Sequence, residues 1–398
     1  MRKARRPAAR THAPVRKGPS KKTARSRGTR VKEDRADSTL TSFDDPRGAL
    51  SKGHLVLIGS GAALAASLGL PAAALAAPTD CNAPYDVYKV PAATLAACGV
   101  KTFPLQSQRP TSDGGTAYDY DVHGKTVSFM VPPAGFDPRT ASADERAMYG
   151  IPHRPSDPGA QARFDNGAAH ASFLKPPEFL AVIPAQATSA VKAATGSLNW
   201  SGFTDLGGAG AFTQSTGVYT EPTDHGTACS NNSDVSWVGI GGWNSGNLAQ
   251  DGTGINTPGL GQHQAWKEIL PASITPVNLY ATAGRSFKAT THWLGNRWQF
   301  VLYNEYTGQS QTINVNSSSY DGSSSEFIGE RPSVNGNFTN LTNFGNLNWS
   351  SAQTNGAPLQ NFSHTGVNMY DTSNNLMAGP STNPGSNGSF TDTWKRCN

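Results

Sequence analysis

THWLGNRWQFV, residues 291–301, decides the fold class of this 398-residue chain. Gly295 and Asn296 are residue types that accept a positive φ, so they supply a two-residue primed turn between two strands. After the turn, Trp298, Phe300 and Leu302 alternate with Arg297, Gln299 and Tyr303. That is the period of a strand with one buried face and one wetter face. Outward from the hairpin the pattern recurs in STGVYT (215–220), DVSWVGI (234–240), QAWKEI (264–269), VNLYAT (277–282), QTINV (311–315), SEFIGE (325–330) and GNLNWS (345–350), each bounded by Gly, Asn, Pro or Ser. The reading is all-β: an antiparallel sandwich or barrel beginning near Asn199 and running to residue 398, long enough to bury a substantial core. With 42 Gly, 27 Pro and 15% charged residues, a helical bundle is excluded.

Charge divides the chain. Residues 1–54 hold 16 Lys and Arg against 5 acids, while the remainder holds 17 against 23. The expected organisation starts with a basic disordered leader at 1–53, whose clustered cations could also serve as a nucleic-acid arm. HLVLIGSGAALAASLGLPAAALAAP follows, with Ala74-Leu75-Ala76 as a cleavage site, giving a signal peptide at 54–77 and a secreted, extracellular product without stable membrane association. Residues 78–198 read as a pro-region and linker, with a permanent accessory domain as the alternative. Within it Ser142 and Glu145 form a capping box for a short helix that Gly150 ends, and PPEFLAVIPAQATSAVKAATGS (176–197) is rich in small residues. Cys81, Cys98, Cys229 and Cys397 permit two disulfides in three pairings. Cys81 with Cys98 and Cys229 with Cys397 is preferred because each bond then stays within one segment. No zinc-ligand spacing occurs and no cofactor is implied.

SSSEFIGERP (323–332) carries the candidate chemistry. On a strand Glu326, Ile328 and Glu330 share one face. Sandwich-fold retaining glucanases also carry two glutamates four apart, but with an aspartate midway. Ile328 stands there and cannot tune its neighbours' protonation, which weighs against a glucan hydrolase. That hydrolase and a non-catalytic carbohydrate-binding sandwich are the competing readings. His225, His263, His292 and His364 have no G-x-S-x-G beside them, so a serine-protease reading lacks its nucleophile.

Seven stretches, in order, resemble the glutamic peptidases (eqolisins), a family of acid-acting endopeptidases: NWSGF (199–203), SWVGIGG (236–242), LAQDG (248–252), QAWKEILP (264–271), NEYTGQSQT (304–312), SEFIGERP (325–332) and FGNLNWSSA (344–352). PPAGFDPRTASADERAMYGIPHRP also looks like the pro-regions of bacterial members. The resemblance implies a concanavalin-like sandwich of two seven-stranded sheets, protein or peptide substrates, no nucleic-acid partner and a monomer. It implies a catalytic pair of Gln250 and Glu330, with Glu330 as carboxylate taking a proton from water and returning it to the leaving amine, and Gln250 supporting the oxyanion and the water. A carboxyl near its ordinary value of about 4.3 would then give activity on the acid side of neutrality. Trp200, Trp237, Glu268 and Glu326 match positions beside the substrate. Gly241 and Gln264 replace aspartates of fungal members, and Leu270 replaces a flap tyrosine.

Overall fold

The structure is a computed structural model and describes residues 80–151, 153–183, 196–243, 245–334 and 336–398. The leader, the signal peptide and its cleavage site lie outside the described residues, as do residues 184–195 of the linker. The segment read as a pro-region contains α1 (Ala92–Ala97), β1 (Lys101–Pro110), β2 (Thr116–Val122), β3 (Lys125–Val131), α2 (Ala143–Met148), α3 (Pro158–Ala169), β4 (Ser172–Phe173) and β5 (Phe179–Val182). Next come β6 (Gly196–Ser197), β7 (Trp200–Leu206), β8 (Gln214–Thr220), β9 (Asn232–Gly241), β10 (Leu248–Ile255), β11 (Gln264–Ile269) and β12 (Thr275–Tyr280). The hairpin strands are β13 (Ser286–Trp293) and β14 (Arg297–Asn304), followed by β15 (Gln309–Asn316) and β16 (Ser324–Glu330). The two-residue strands β17 (Ser333–Val334), β18 (Asn337–Phe338) and β19 (Asn340–Leu341) precede β20 (Asn346–Thr354), β21 (Ala357–Pro358), β22 (His364–Tyr370), β23 (Leu376–Pro380) and β24 (Phe390–Trp394).

The architecture is mostly β and mostly antiparallel. One layer runs β12-β11-β10-β9-β16-β7-β22. At an irregularity between Met369 and Tyr370, β22 passes its pairing to β23, and the order continues β24-β20-β8-β13-β14-β15. From β15 it runs on into β3, β2 and β1, so the hydrogen-bonded order is continuous through 22 strands. The two runs pack face to face: Phe203, Val238, Ile240 and Phe327 from the first meet Tyr219, Phe300, Ile313 and Trp349 from the second in one buried cluster. Burying each such side chain contributes about 1.5–3 kcal/mol.

At the hairpin, Trp293 pairs with Trp298 around Gly295, whose φ is 88°, and the Leu294 N–H donates to the Arg297 carbonyl (2.9 Å). Trp298, Phe300 and Leu302 are buried as the alternation predicts. The opposite face is drier than expected, since Gln299 and Val301 are buried too. Residues 147–150 cover it: Gln299 Nε2 donates to the Ala147 carbonyl (3.4 Å), and a Cβ on Gly150 would run into Val301. The predicted capping box caps α2, with the Glu145 N–H on Ser142 Oγ (3.1 Å) and the Ser142 N–H on Glu145 Oε2 (2.7 Å). Both disulfides form in the preferred pairing, Cys81–Cys98 and Cys229–Cys397. Among the described residues no helix is long and apolar enough to cross a membrane.

Candidate active site

β16 presents two faces. Phe327 points into the core between the layers, while Ile328 joins a second buried cluster with Trp200, Trp237, Trp266 and Leu248 on the outer face of the first layer. Glu326 and Glu330 share the Ile328 face, as the period of two requires.

Glu330 lies in register with Trp200 on β7 and Val235 on β9. Each of its carboxyl oxygens has its own donor: Asn199 Nδ2 on Oε1 and Trp237 Nε1 on Oε2, both at 2.8 Å. Asn199 is itself fixed, because its Oδ1 accepts from Ser197 Oγ (3.1 Å). Burial raises Glu330 to about 7, against the pull of hydrogen bonds from Asn199, Trp237 and Trp200, which favour the charged form. The neighbouring Arg331 is engaged elsewhere: its Nε donates to the Leu198 carbonyl (2.7 Å) and its guanidinium lies over Phe338.

Gln250 sits on β10 between Gly239 and Glu268. Its Nε2 donates to Glu268 Oε2 (2.6 Å), and its Oε1 is buried without a partner. Burial raises Glu268 to about 8, offset by the Gln250 bond and raised further by the charge of Glu330. By register, Glu330 lies four residues along β16 from Glu326, which is opposite Gly239, the β9 partner of Gln250. Trp237 spans the ground between them. Its Nε1 reaches Glu330, while its Cζ3 lies where a Cβ on Gly239 would be, at 2.8 Å, so glycine at 239 lets the indole lie against the sheet.

The Peptidase A4 family matches residues 198–392. Those residues form a Peptidase A4 family domain. Two crystal structures of scytalido-glutamic peptidase are similar to the chain, one with a transition state analog inhibitor and one with a peptide based transition state analog. Their identities are 20% and 18% and their TM-scores 0.43 and 0.42, and each match covers 50% of this chain and 98% of theirs. No curated protein matches the chain.

Within the glutamic peptidase domain the two acids of β16 differ. Glu326 occupies the row of Gly239 and Gln250, but it is 0% exposed, and neither carboxyl oxygen has a partner. Burial raises it well above the carboxylate range, with Asp205 and Asp321 adding to the rise and Ser324 opposing it, so Glu326 is neutral at acid pH. Trp200 and Trp237, expected along the substrate groove, are buried edge to face with ring centres 5.0 Å apart, and Trp243 adds a third ring 6.5 Å from Trp200. Sequence reasoning missed Asn199 and Trp243 as site residues. Asn199 lies inside a quoted motif and Trp243 directly follows one, but an asparagine beside a strand start reads as turn chemistry until its Nδ2 is seen on a carboxylate.

Proposed function

We propose that the chain is a secreted, acid-acting endopeptidase that hydrolyses peptide bonds in proteins with Gln250 and Glu330 as its catalytic dyad. It is made as a precursor with basic leader, signal peptide and pro-region and acts as a monomer without a cofactor. Its sandwich is read as two seven-stranded layers, with the candidate site on the layer that carries β16. The observation that carries the proposal is that one face of the layer holds both a carboxyl gripped at both oxygens and a buried amide whose Oε1 has no partner.

The raised Glu330 value changes the starting point expected from sequence. Below about pH 7 the carboxyl begins with its proton. One oxygen then gives that proton to the peptide carbonyl as water adds to the carbon, and the other oxygen takes a proton from the water. A neutral carboxyl and a tetrahedral diol result. In the second half Glu330 protonates the amide nitrogen and takes a proton from a diol hydroxyl while the C–N bond breaks, leaving a carboxylic acid and an amine. Gln250 Oε1 accepts a hydrogen from the water, and its second N–H supports the carbonyl oxygen. Glu268 fixes the amide by accepting the first N–H. Because the protonated carboxyl starts the cycle, activity is high on the acid side and falls as pH rises through about 7.

The test is digestion of denatured protein at acid pH by the purified chain, in the presence and absence of pepstatin or chelator. Glu330→Gln and Gln250→Glu lose about 10³-fold or more in kcat, on the scale of removing one catalytic group. Glu326→Gln stays within about fivefold, since a neutral carboxyl and an amide differ little in polarity. Full activity in Glu330→Gln sinks the mechanism, and a dead Glu326→Gln beside an active Glu330→Gln exchanges the two acids.

A further inference from the structure

One side chain of the segment read as a pro-region sits in the candidate site's own apolar cluster. Ile183 is 5% exposed and belongs to the cluster of Trp200, Trp237, Leu248, Trp266 and Ile328. Its N–H donates to the Ile274 carbonyl (3.1 Å), just before the start of β12. A backbone bond to a strand end with a side chain in a pocket is how a sheet takes up an extended peptide. The pocket is closely fitted. A Cβ on Gly259, whose φ is 79°, would lie 2.6 Å from Ile183 Cδ1 and 2.8 Å from its Cγ1, so glycine there makes the room that the isoleucine fills. Leu260 and Ile274 are buried in the same cluster.

This seat lies beside the proposed dyad. Thr275, the residue after Ile274, pairs with Lys267, and Glu268 is the next residue on β11. Glu268 in turn accepts from Gln250. Lys267 turns to the opposite face, with its Nζ over the Phe300 ring in the core between the layers. Glu268, raised by burial to about 8, is uncharged on the acid side. An aliphatic side chain in the seat therefore meets no charge there, and a carboxylate would find no counter-ion. In the same cluster Trp266 Nε1 is buried without an acceptor, a spare donor on the face where a peptide carbonyl would arrive.

We propose that the seat formed by Gly259, Leu260 and Ile274 is a specificity subsite that takes a branched aliphatic side chain of the substrate, and that Ile183 holds this place in the precursor. The preferred substrate is then an extended peptide with isoleucine, valine or leucine at the position that enters the seat, and peptides with an acidic residue there are rejected. This rests on the endopeptidase and pro-region reading above, but its first test reads binding and needs no turnover.

The test uses full chains carrying Glu330→Gln, so that the probe is not consumed. Ile183→Asp vacates the seat. A fluorescein-labelled nonapeptide of alanine and threonine with isoleucine at its centre is expected to bind Ile183→Asp at least tenfold more tightly than the chain that keeps Ile183, on the scale of one aliphatic group in an apolar pocket. The same probe with aspartate at its centre is expected to show no gain. Adding Gly259→Asn, a residue type that accepts positive φ, fills the seat and is expected to abolish the gain. Equal affinity with and without Ile183, an equal gain for the aspartate probe, or a gain that survives Gly259→Asn overturns the proposal; the comparison of the two probes decides it if Gly259→Asn does not fold. With Glu330 restored, Gly259→Asn is expected to raise KM about tenfold for peptides carrying the aliphatic residue and to leave kcat within about twofold. An unsubstituted chain that binds the isoleucine probe after Ile183→Asp but cleaves no peptide refutes the catalytic reading and leaves the subsite standing.

Discussion

Replacing Trp237 with Phe keeps an aromatic ring beside Trp200 and removes one atom group that matters, the Nε1–H that reaches Glu330 Oε2 at 2.8 Å. A hydrogen bond to a charged acceptor contributes about 1.5–3 kcal/mol. Glu330 is partly exposed and water can replace part of the loss, so the lower end, about 1.5 kcal/mol, is the appropriate figure. One pKa unit corresponds to about 1.36 kcal/mol, and the lost bond favoured the charged form, so the Glu330 value moves up by about one unit. Its starting point is about 7. In a pH profile of kcat/KM on a peptide substrate, the alkaline limb is therefore expected to shift from about 7 to about 8. Asn199→Ala removes the donor on Oε1 and moves the limb in the same direction. A limb that stays in place, or moves toward acid, refutes the assignment of Glu330 as the titrating group. Activity that rises with pH through this range refutes the protonated starting form and restores the carboxylate expected from the sequence.

Gly252→Ala is expected to destabilise by about 3 kcal/mol, because the added Cβ runs into the Ser236 carbonyl oxygen and lies 2.7 Å from Trp237 Cα, leaving β9 and β10 no room to pair; urea melts measure it, and a loss under 1 kcal/mol contradicts the close approach. Stability should also favour acid. Burial raises Asp205 and Asp392 to about 7 and carries Asp234, Asp251 and Glu326 well above the ordinary range. Acids with raised folded values contribute stability in full below their unfolded values near 4 and lose it as pH rises toward 7 and beyond. Lys267, lowered by burial to about 8, adds no slope below that pH. Thermal melts should therefore give a higher Tm at pH 4 than at pH 7.5, and the reverse order refutes the argument.

Much of the fold was legible because strands and turns are local. The Gly295-Asn296 turn, the alternation from Trp298 to Leu302 and the Ser142–Glu145 capping box are all set by residues within a few positions of one another. The site was legible in part. The period of two puts Glu326 and Glu330 on one face, and the motifs nominate Gln250 and Glu268, whose side chains do meet. Asn199 and Trp243 went unread, and Gln299 was read as wetter than it is, since each depends on a partner far away in the chain.

The sequence by itself determined where the strands run, which side of each faces inward, the motif order of a peptidase domain and which acids could share a face. Only the tertiary structure decided which of those acids is hydrogen-bonded and which is sealed without a partner. It also decided that residues 80–183 share the sandwich core. The reason is physical: backbone period and turn chemistry act over a few residues, whereas desolvation and donor contacts are set by strands brought together from more than a hundred residues apart, as with Asn199 and Glu330.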